Sequence, residues 1–220
     1  MNILEGTITI NGKNFELNEN SIFQNHVNIS VDEFCELLEQ ELLAKFELSN
    51  GILIYHQMTT KDHAAIDVNL LRETSFLFLR QKYYQILGEN FAITCPDLNS
   101  YYLPDASIVI GKEVEYVKVG ENKQVDAVSN ALGIIEILSP ATEKYDRTTK
   151  YDNYRKIPTL RQYTLISQDK IQVENFVRNA FGIWICTVYT SKNDYFEIIE
   201  EQFQLCVGNL YLQTSLDDDY

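Results

Sequence analysis

The chain is poor in cysteine, and the cysteines it has do not pair in sequence. Cys35, Cys95, Cys186 and Cys206 are the only four among 220 residues, and they form no CxxC pair. A disulfide framework and a zinc site therefore lack support, and reduced thiols are the expectation. Long hydrophobic runs are also missing: no stretch reaches the roughly 18 consecutive apolar residues of a membrane span. The opening Met1-Asn2-Ile3-Leu4-Glu5-Gly6 has neither the basic nor the apolar region of a secretory leader. A cytoplasmic protein without a membrane partner is expected. Basic charge is scarce, with 18 Lys and Arg against 32 Asp and Glu, a net charge of −14. Such a surface repels phosphate and argues against indiscriminate nucleic-acid binding. Low-complexity linkers and internal repeats are absent.

What is present is an ordinary globular composition, 45% hydrophobic and 23% charged. A domain of this length buries roughly 70–75% of its unfolded surface and needs no staple. The charge is unevenly spread. Residues 1–50 hold nine acidic and two basic side chains, and 191–220 hold seven and one. Residues 144–161 reverse the sign, with Lys144, Arg147, Lys150, Arg155, Lys156 and Arg161 against Asp146 and Asp152. A solvated helix face with internal ion pairs is the plain reading of that stretch.

Hydrophobic period and turn chemistry divide the chain into elements. Residues 7–17 alternate about Asn11-Gly12, a hairpin signature. Ser30 with Glu33 makes a capping box for a helix over 31–40. Phe46 to Tyr55 reads as a hairpin turning at Asn50-Gly51. The longest helix is predicted over 62–87, with Ile66, Leu70, Thr74, Leu77 and Tyr84 on one side. Strands are predicted at 90–95, 101–103, 106–110 and 133–138, with 111–130 an irregular loop that has room for a short hairpin. Pro140 and Thr142 open a helix to about 156, which Pro158 stops. Strands at 162–167, 171–177, 183–190, 195–199 and 203–207 follow. The expected architecture is α+β, a central mixed β-sheet flanked by helices. The expected division is an N-terminal extension with a β-hairpin (1–28), the main domain (29–212) and an acidic tail (213–220).

Two carboxylates stand out within this plan. Asp105 follows Pro104 and opens Ala106-Ser107-Ile108-Val109-Ile110. Glu136 lies inside Gly133-Ile134-Ile135-Glu136-Ile137-Leu138-Ser139. A charge in a β-branched run costs several kcal/mol to bury unless compensated. Two such charges brought together by neighbouring strands entering the sheet from the same side call for a cation. A hard divalent ion, Mg²⁺ or Mn²⁺, held by Asp105, Glu136 and the carbonyl of Ile137, is the simplest one. Lys150 would then stabilise the charge that develops on a phosphate. Taken singly, Asp105 reads as the start of a strand, and Asp146–Lys150 as an ordinary surface i,i+4 pair.

The motifs resemble a known family. Pro104-Asp105 matches the first element of the PD-(D/E)XK nuclease superfamily, and Glu136-Ile137-Leu138 the second, with Leu138 in place of lysine. The Uma branch departs in the same way. Its pattern is similar to Glu136-Ile137-Leu138-Ser139-Pro140-Ala141-Thr142, then Tyr145-Asp146-Arg147, Lys150 and Tyr154. Ala141 stands where the family has serine. Phe46-Glu47-Leu48-Ser49-Asn50-Gly51, His63, and Ser30 to Leu37 resemble further parts of the pattern, which spans about 29–212. The resemblance implies a restriction-endonuclease-like fold and a Mg²⁺-dependent endonuclease acting on DNA. Asp105, Glu136 and Lys150 are the implied catalytic set, with Glu47 completing the metal site and His63, Ser139, Asp146 and Tyr154 as accessory candidates. Cutting both strands of a duplex implies a homodimer. The competing reading is a degenerate nuclease fold serving as a binding scaffold. A two-carboxylate glycosidase is a third; it leaves Lys150 unexplained, and Trp184 is the sole tryptophan to stack a sugar.

Overall fold

The computed structural model describes residues 5–10, 13–18, 27–39, 45–56, 59–79, 81, 83–96 and 100–217. In chain order, β1 (Glu5–Ile10), β2 (Lys13–Asn18) and β3 (Val27–Asn28) lead to helix α1 (Val31–Leu38). Strands β4 (Lys45–Ser49) and β5 (Ile52–His56) precede helix α2 (Lys61–Phe78). Next come β6 (Tyr84–Gly88), β7 (Ser100–Tyr101), β8 (Ala106–Ile110), β9 (Tyr116–Val119), β10 (Val125–Val128) and β11 (Gly133–Leu138). A helical run follows, made of α3 (Glu143–Tyr145), a π-turn (Asp146–Lys150) and α4 (Tyr151–Tyr154). The chain continues through β12 (Gln162–Ser167), β13 (Val173–Arg178), β14 (Trp184–Tyr189), β15 (Tyr195–Ile198), β16 (Glu200–Cys206) and α5 (Val207–Leu210).

These elements form two compact units. The first comprises Met1–Met58, Ala92–Leu103 and Tyr116–Ser129. Its antiparallel sheet has the order β3-β5-β4-β7. Asn50 (φ 52°) and Gly51 (φ 78°) make the β4–β5 turn, the left-handed pair that a two-residue hairpin requires. Ser30 and Glu33 cap α1 reciprocally as the sequence predicts. Phe34 and Leu37 of that helix pack with Phe46, Leu48 and Leu53. The β1–β2 pairing agrees with the alternation of 7–17, although Asn11 and Gly12 themselves lie outside the described residues.

The second unit comprises Thr59–Phe91, Pro104–Glu115 and Asn130–Tyr220. Its six-stranded sheet has the order β14-β13-β12-β11-β8-β6. Only β11 and β12 run parallel, which the helical run between them makes possible as a crossover. The sheet is mixed, with helices against it. Side chains of a strand alternate between faces, and that alternation places the chemistry. Ile135 and Ile137 join Ile66, Leu70, Ile166 and Phe203 in one core cluster. Glu136 therefore points to the opposite face. There Tyr151 of the helical run packs on Tyr163 of β12 and Phe176 of β13.

Three expectations change. The long helix ends at Phe78, not 87. Tyr84 enters the same core from β6, its ring 5.6 Å from that of Phe78, so helical spacing extended too far along the chain. The predicted strand at 90–95 reduces to bridges at Ile93. Strands β8 and β11 are neighbours as expected but antiparallel, so the start of one meets the end of the other.

Arg147 fixes the helical run to the sheet. Its guanidinium donates to both carboxylate oxygens of Glu174 on β13 at 2.6 and 2.7 Å. The Arg147 bond, outweighing burial, holds the Glu174 carboxyl below its usual value. A depressed carboxyl pKa adds stability above the unfolded value, about 4.3, which is lost as pH falls through the folded value. Glu174→Gln should therefore cost on the order of 1 kcal/mol at pH 7, and the deficit should shrink steadily below about pH 4. Urea unfolding of both proteins at several pH values measures this; a deficit independent of pH would contradict it.

Candidate active site

Glu136 sits in the middle of a strand whose six residues are all buried, and is itself only 3% exposed. Its compensation comes from the helical run. The Lys150 ammonium donates to Glu136 Oε1 at 2.9 Å, and the Tyr154 hydroxyl donates to the same oxygen at 3.1 Å. Lys150 is 2% exposed and lies 3.5 Å from Asp146 Oδ1. The Asp146–Lys150 pair is thus deeply buried, not the surface pair that its spacing suggested. The ring of Tyr145 lies 5.7 Å from the same ammonium.

Local sequence explains how a lysine reaches this depth. Pro140 ends the strand. Ser139 Oγ accepts the Thr142 N–H at 3.2 Å and lies 3.1 Å from Thr142 Oγ1, so Ser139 shapes the turn into the helix. Asp146–Lys150 then widens into a π-turn, a local feature common at functional sites. The Tyr163 hydroxyl donates to the carbonyl of Asp146 at 3.0 Å and ties the widened turn to β12. Leu138, where the lysine of related motifs stands, points to the face of Glu136 and is buried.

Asp105 arrives from the other strand. The ladder between β8 and β11 ends with Ile135 opposite Ala106. One residue before Ala106, Asp105 uses Oδ2 to accept the Ile137 N–H at 2.6 Å. Its Oδ1 lies 3.0 Å from His63 Nε2 in the first turn of α2. His63 is held by its own N–H, which donates to the Thr60 side chain at 3.1 Å. The Thr60 hydroxyl in turn donates to Gln168 at 2.9 Å. Burial pushes the Asp105 carboxyl up. The His63 bond and charge, the Ile137 N–H and the Lys150 charge outweigh it and hold the group below the usual carboxylate value. Asp105 is ionised at neutral pH.

One end of the β8–β11 pair thus gathers Asp105, Glu136, Ile137, His63, Asp146, Lys150 and Tyr154. Glu47 belongs to the first unit, where it is fully buried and accepts the Leu103 N–H at 2.7 Å. Among the described residues, no three His, Cys, Asp or Glu side chains form a metal-holding group. Several supports escaped the sequence reading. Tyr145 stands directly before Asp146, inside the motif, and could have been found there. Thr60 and Gln168 are 108 residues apart, so nothing in the sequence joins them.

A family model described as "Putative restriction endonuclease" matches residues 31–207. The chain belongs to this family, Uma2. Two curated relatives are similar, both uncharacterized proteins of Synechocystis sp. (strain PCC 6803). The protein sll1609 is 28% identical over 70% of this chain and 84% of its own length. The protein slr1290 is 25% identical over 75% and 82%. A crystal structure from Anabaena variabilis, of a protein described as a putative nuclease belonging to DUF820, aligns with TM-score 0.64 at 19% identity. It covers 83% of this chain and 97% of that one, so the fold is shared. Every residue of the site lies inside the Uma2 match.

The buried charges of this Uma2 protein make a stability prediction. Lys150→Met strands Glu136 without its ammonium and should cost about 3–5 kcal/mol. Adding Glu136→Gln should recover part of that loss, because the carboxylate nearest the lost ammonium is then neutral while Asp146 keeps its charge. Urea midpoints of the single and double variants decide the matter. A double variant no more stable than Lys150→Met would show that the loss does not come from the stranded Glu136 charge.

Proposed function

We propose that this Uma2 protein is a divalent-metal-dependent endonuclease that hydrolyses phosphodiester bonds in DNA. The observation that supports the proposal is that Asp105 is bonded to the Ile137 N–H, next in the chain to Glu136, while Lys150 is bonded to Glu136 itself. The donor set is hard oxygen, two carboxylates and the Ile137 carbonyl. It fits Mg²⁺ or Mn²⁺, which take one or two carboxylates and fill the remaining positions with water. It does not make a closed all-protein cage. When bound, such an ion would polarise a phosphoryl oxygen and lower the pKa of a water.

The protein's own groups have separable tasks. His63 and the Ile137 N–H orient the Asp105 carboxylate, and Tyr154 orients Glu136. Lys150, held by Glu136 and Asp146, brings a positive charge to where an anionic phosphorane would form. A charge preset in a water-poor site lowers a barrier more than the same charge in solvent. Cutting a duplex takes two such sites, so a two-fold dimer of 25.5 kDa protomers belongs to the proposal. Light scattering that gives the protomer mass at micromolar concentration would remove that part. Among the described residues, no helix is long and apolar enough to cross a membrane.

A second reading, a non-cutting scaffold, draws on Leu138: an apolar side chain fills the place from which related motifs extend a lysine. Plasmid nicking beside calorimetric Mn²⁺ titration separates the two. The parent should bind Mn²⁺ and nick. Asp105→Asn and Glu136→Gln should lose both properties. Lys150→Gln, its fold checked by circular dichroism, should keep Mn²⁺ binding and lose cleavage by about 100-fold or more, since its charge acts in the transition state. A parent that binds no metal and never nicks leaves the scaffold reading standing.

A further inference from the structure

The helical run that buries Lys150 turns a different side toward an open groove. This groove, about 470 Å³, is lined by Asp152, Arg155, Lys156, Arg178, Gly182 and Trp184. Its size falls in the range of small-molecule sites, about 300–1,000 Å³, enough for one nucleotide unit. Three cations against one carboxylate is unusual in a chain of net charge −14.

The one aromatic wall, Trp184, is backed by further rings. Tyr151 stacks on Tyr163, 5.6 Å between ring centres, and meets Trp184 edge-on at 6.3 Å. The Arg155 guanidinium lies 5.0 Å above the Tyr151 ring. Arg178 stands opposite Trp184 in the β13–β14 ladder. Beyond them the chain turns through Gly182 at φ +77°, where a Cβ would sit 3.7 Å from the Arg178 guanidinium. That distance is an ordinary contact, so it is the left-handed backbone of the turn that calls for glycine there. Asp152 does little to neutralise the groove: its contact with Arg155 is 3.8 Å long, and both side chains are well exposed. Arg147, by contrast, is committed to Glu174 and Glu143.

We propose that this groove binds single-stranded nucleic acid, with Arg155, Lys156 and Arg178 on phosphates and one base stacked on Trp184. Cations beside an aromatic face are the equipment of strand-binding grooves. The bases of an intact duplex stay stacked on one another and cannot offer a face to Trp184, so a single strand is the better occupant. The proposal rests on the nuclease reading for the reason a strand is held there: the same helical run carries Lys150 on one side and Tyr151 and Arg155 on the other.

Trp184 is the only tryptophan, so fluorescence excited beyond the absorption of the 14 tyrosines reports on this groove. The full chain is titrated with oligothymidylate in EDTA, which separates binding from cleavage. Saturable quenching is expected, with a slope of log K against log salt near about −2 for three neutralised phosphates. Arg155→Ala, Lys156→Ala and Arg178→Ala should each flatten the slope by about 0.7. Trp184→Leu, read by anisotropy of a labelled oligonucleotide, should weaken binding about tenfold. Unmoved fluorescence overturns the proposal, as do equal quenching by the duplex, by heparin or by a phosphopeptide, and charge variants that bind as the parent does. A protein that binds here but never nicks plasmid refutes the nuclease reading alone. One that nicks with Trp184 unmoved refutes the groove alone.

Discussion

The second unit is organised around a carboxylate in the wrong solvent. Glu136 occupies the middle of a wholly buried strand, and a charge there is tolerated only with a partner that has also left water. Lys150 and Tyr154 meet it, and Asp146 meets Lys150. The helical run after β11, with its widened turn, supplies these partners, and aromatic packing holds the run against β12 and β13. Reactivity and stability therefore draw on the same few charges.

Much of this was legible where one residue violates its surroundings. Glu136 among isoleucines announces itself, whereas Asp105 taken singly reads as the start of a strand and gains weight only beside the rest of the motif. The Ser30–Glu33 cap and the Asn50-Gly51 turn were readable because local chemistry decides them. The family pattern singles out Lys150 and Glu136 as separate members of a site; their direct contact is visible only in the structure.

What stayed hidden is what depends on distant partners. Helical spacing continued past Phe78 because Tyr84 shares its core, although it comes from a strand. The direction of β8 against β11 is a property of the sheet and leaves no mark in either segment. The π-turn has no local signature, and the burial of Asp146 with Lys150 reverses the meaning of a spacing that ordinarily marks a wet helix face. His63 looked like a helix-start residue; its bond to Asp105 spans 42 positions.

Apart from Glu136, the run Ile134-Ile135-Glu136-Ile137-Leu138 has few internal landmarks, since aliphatic side chains pack almost equally well one step along a sheet. A slip of one residue would turn Glu136 into the cluster of Ile66, Leu70 and Phe203. It would also take the Ile137 N–H away from Asp105. The charge that suits this strand for chemistry thereby acts as its alignment key. Misaligned pairings carry an unpaired anion in oil, and the correct one alone finds the ammonium.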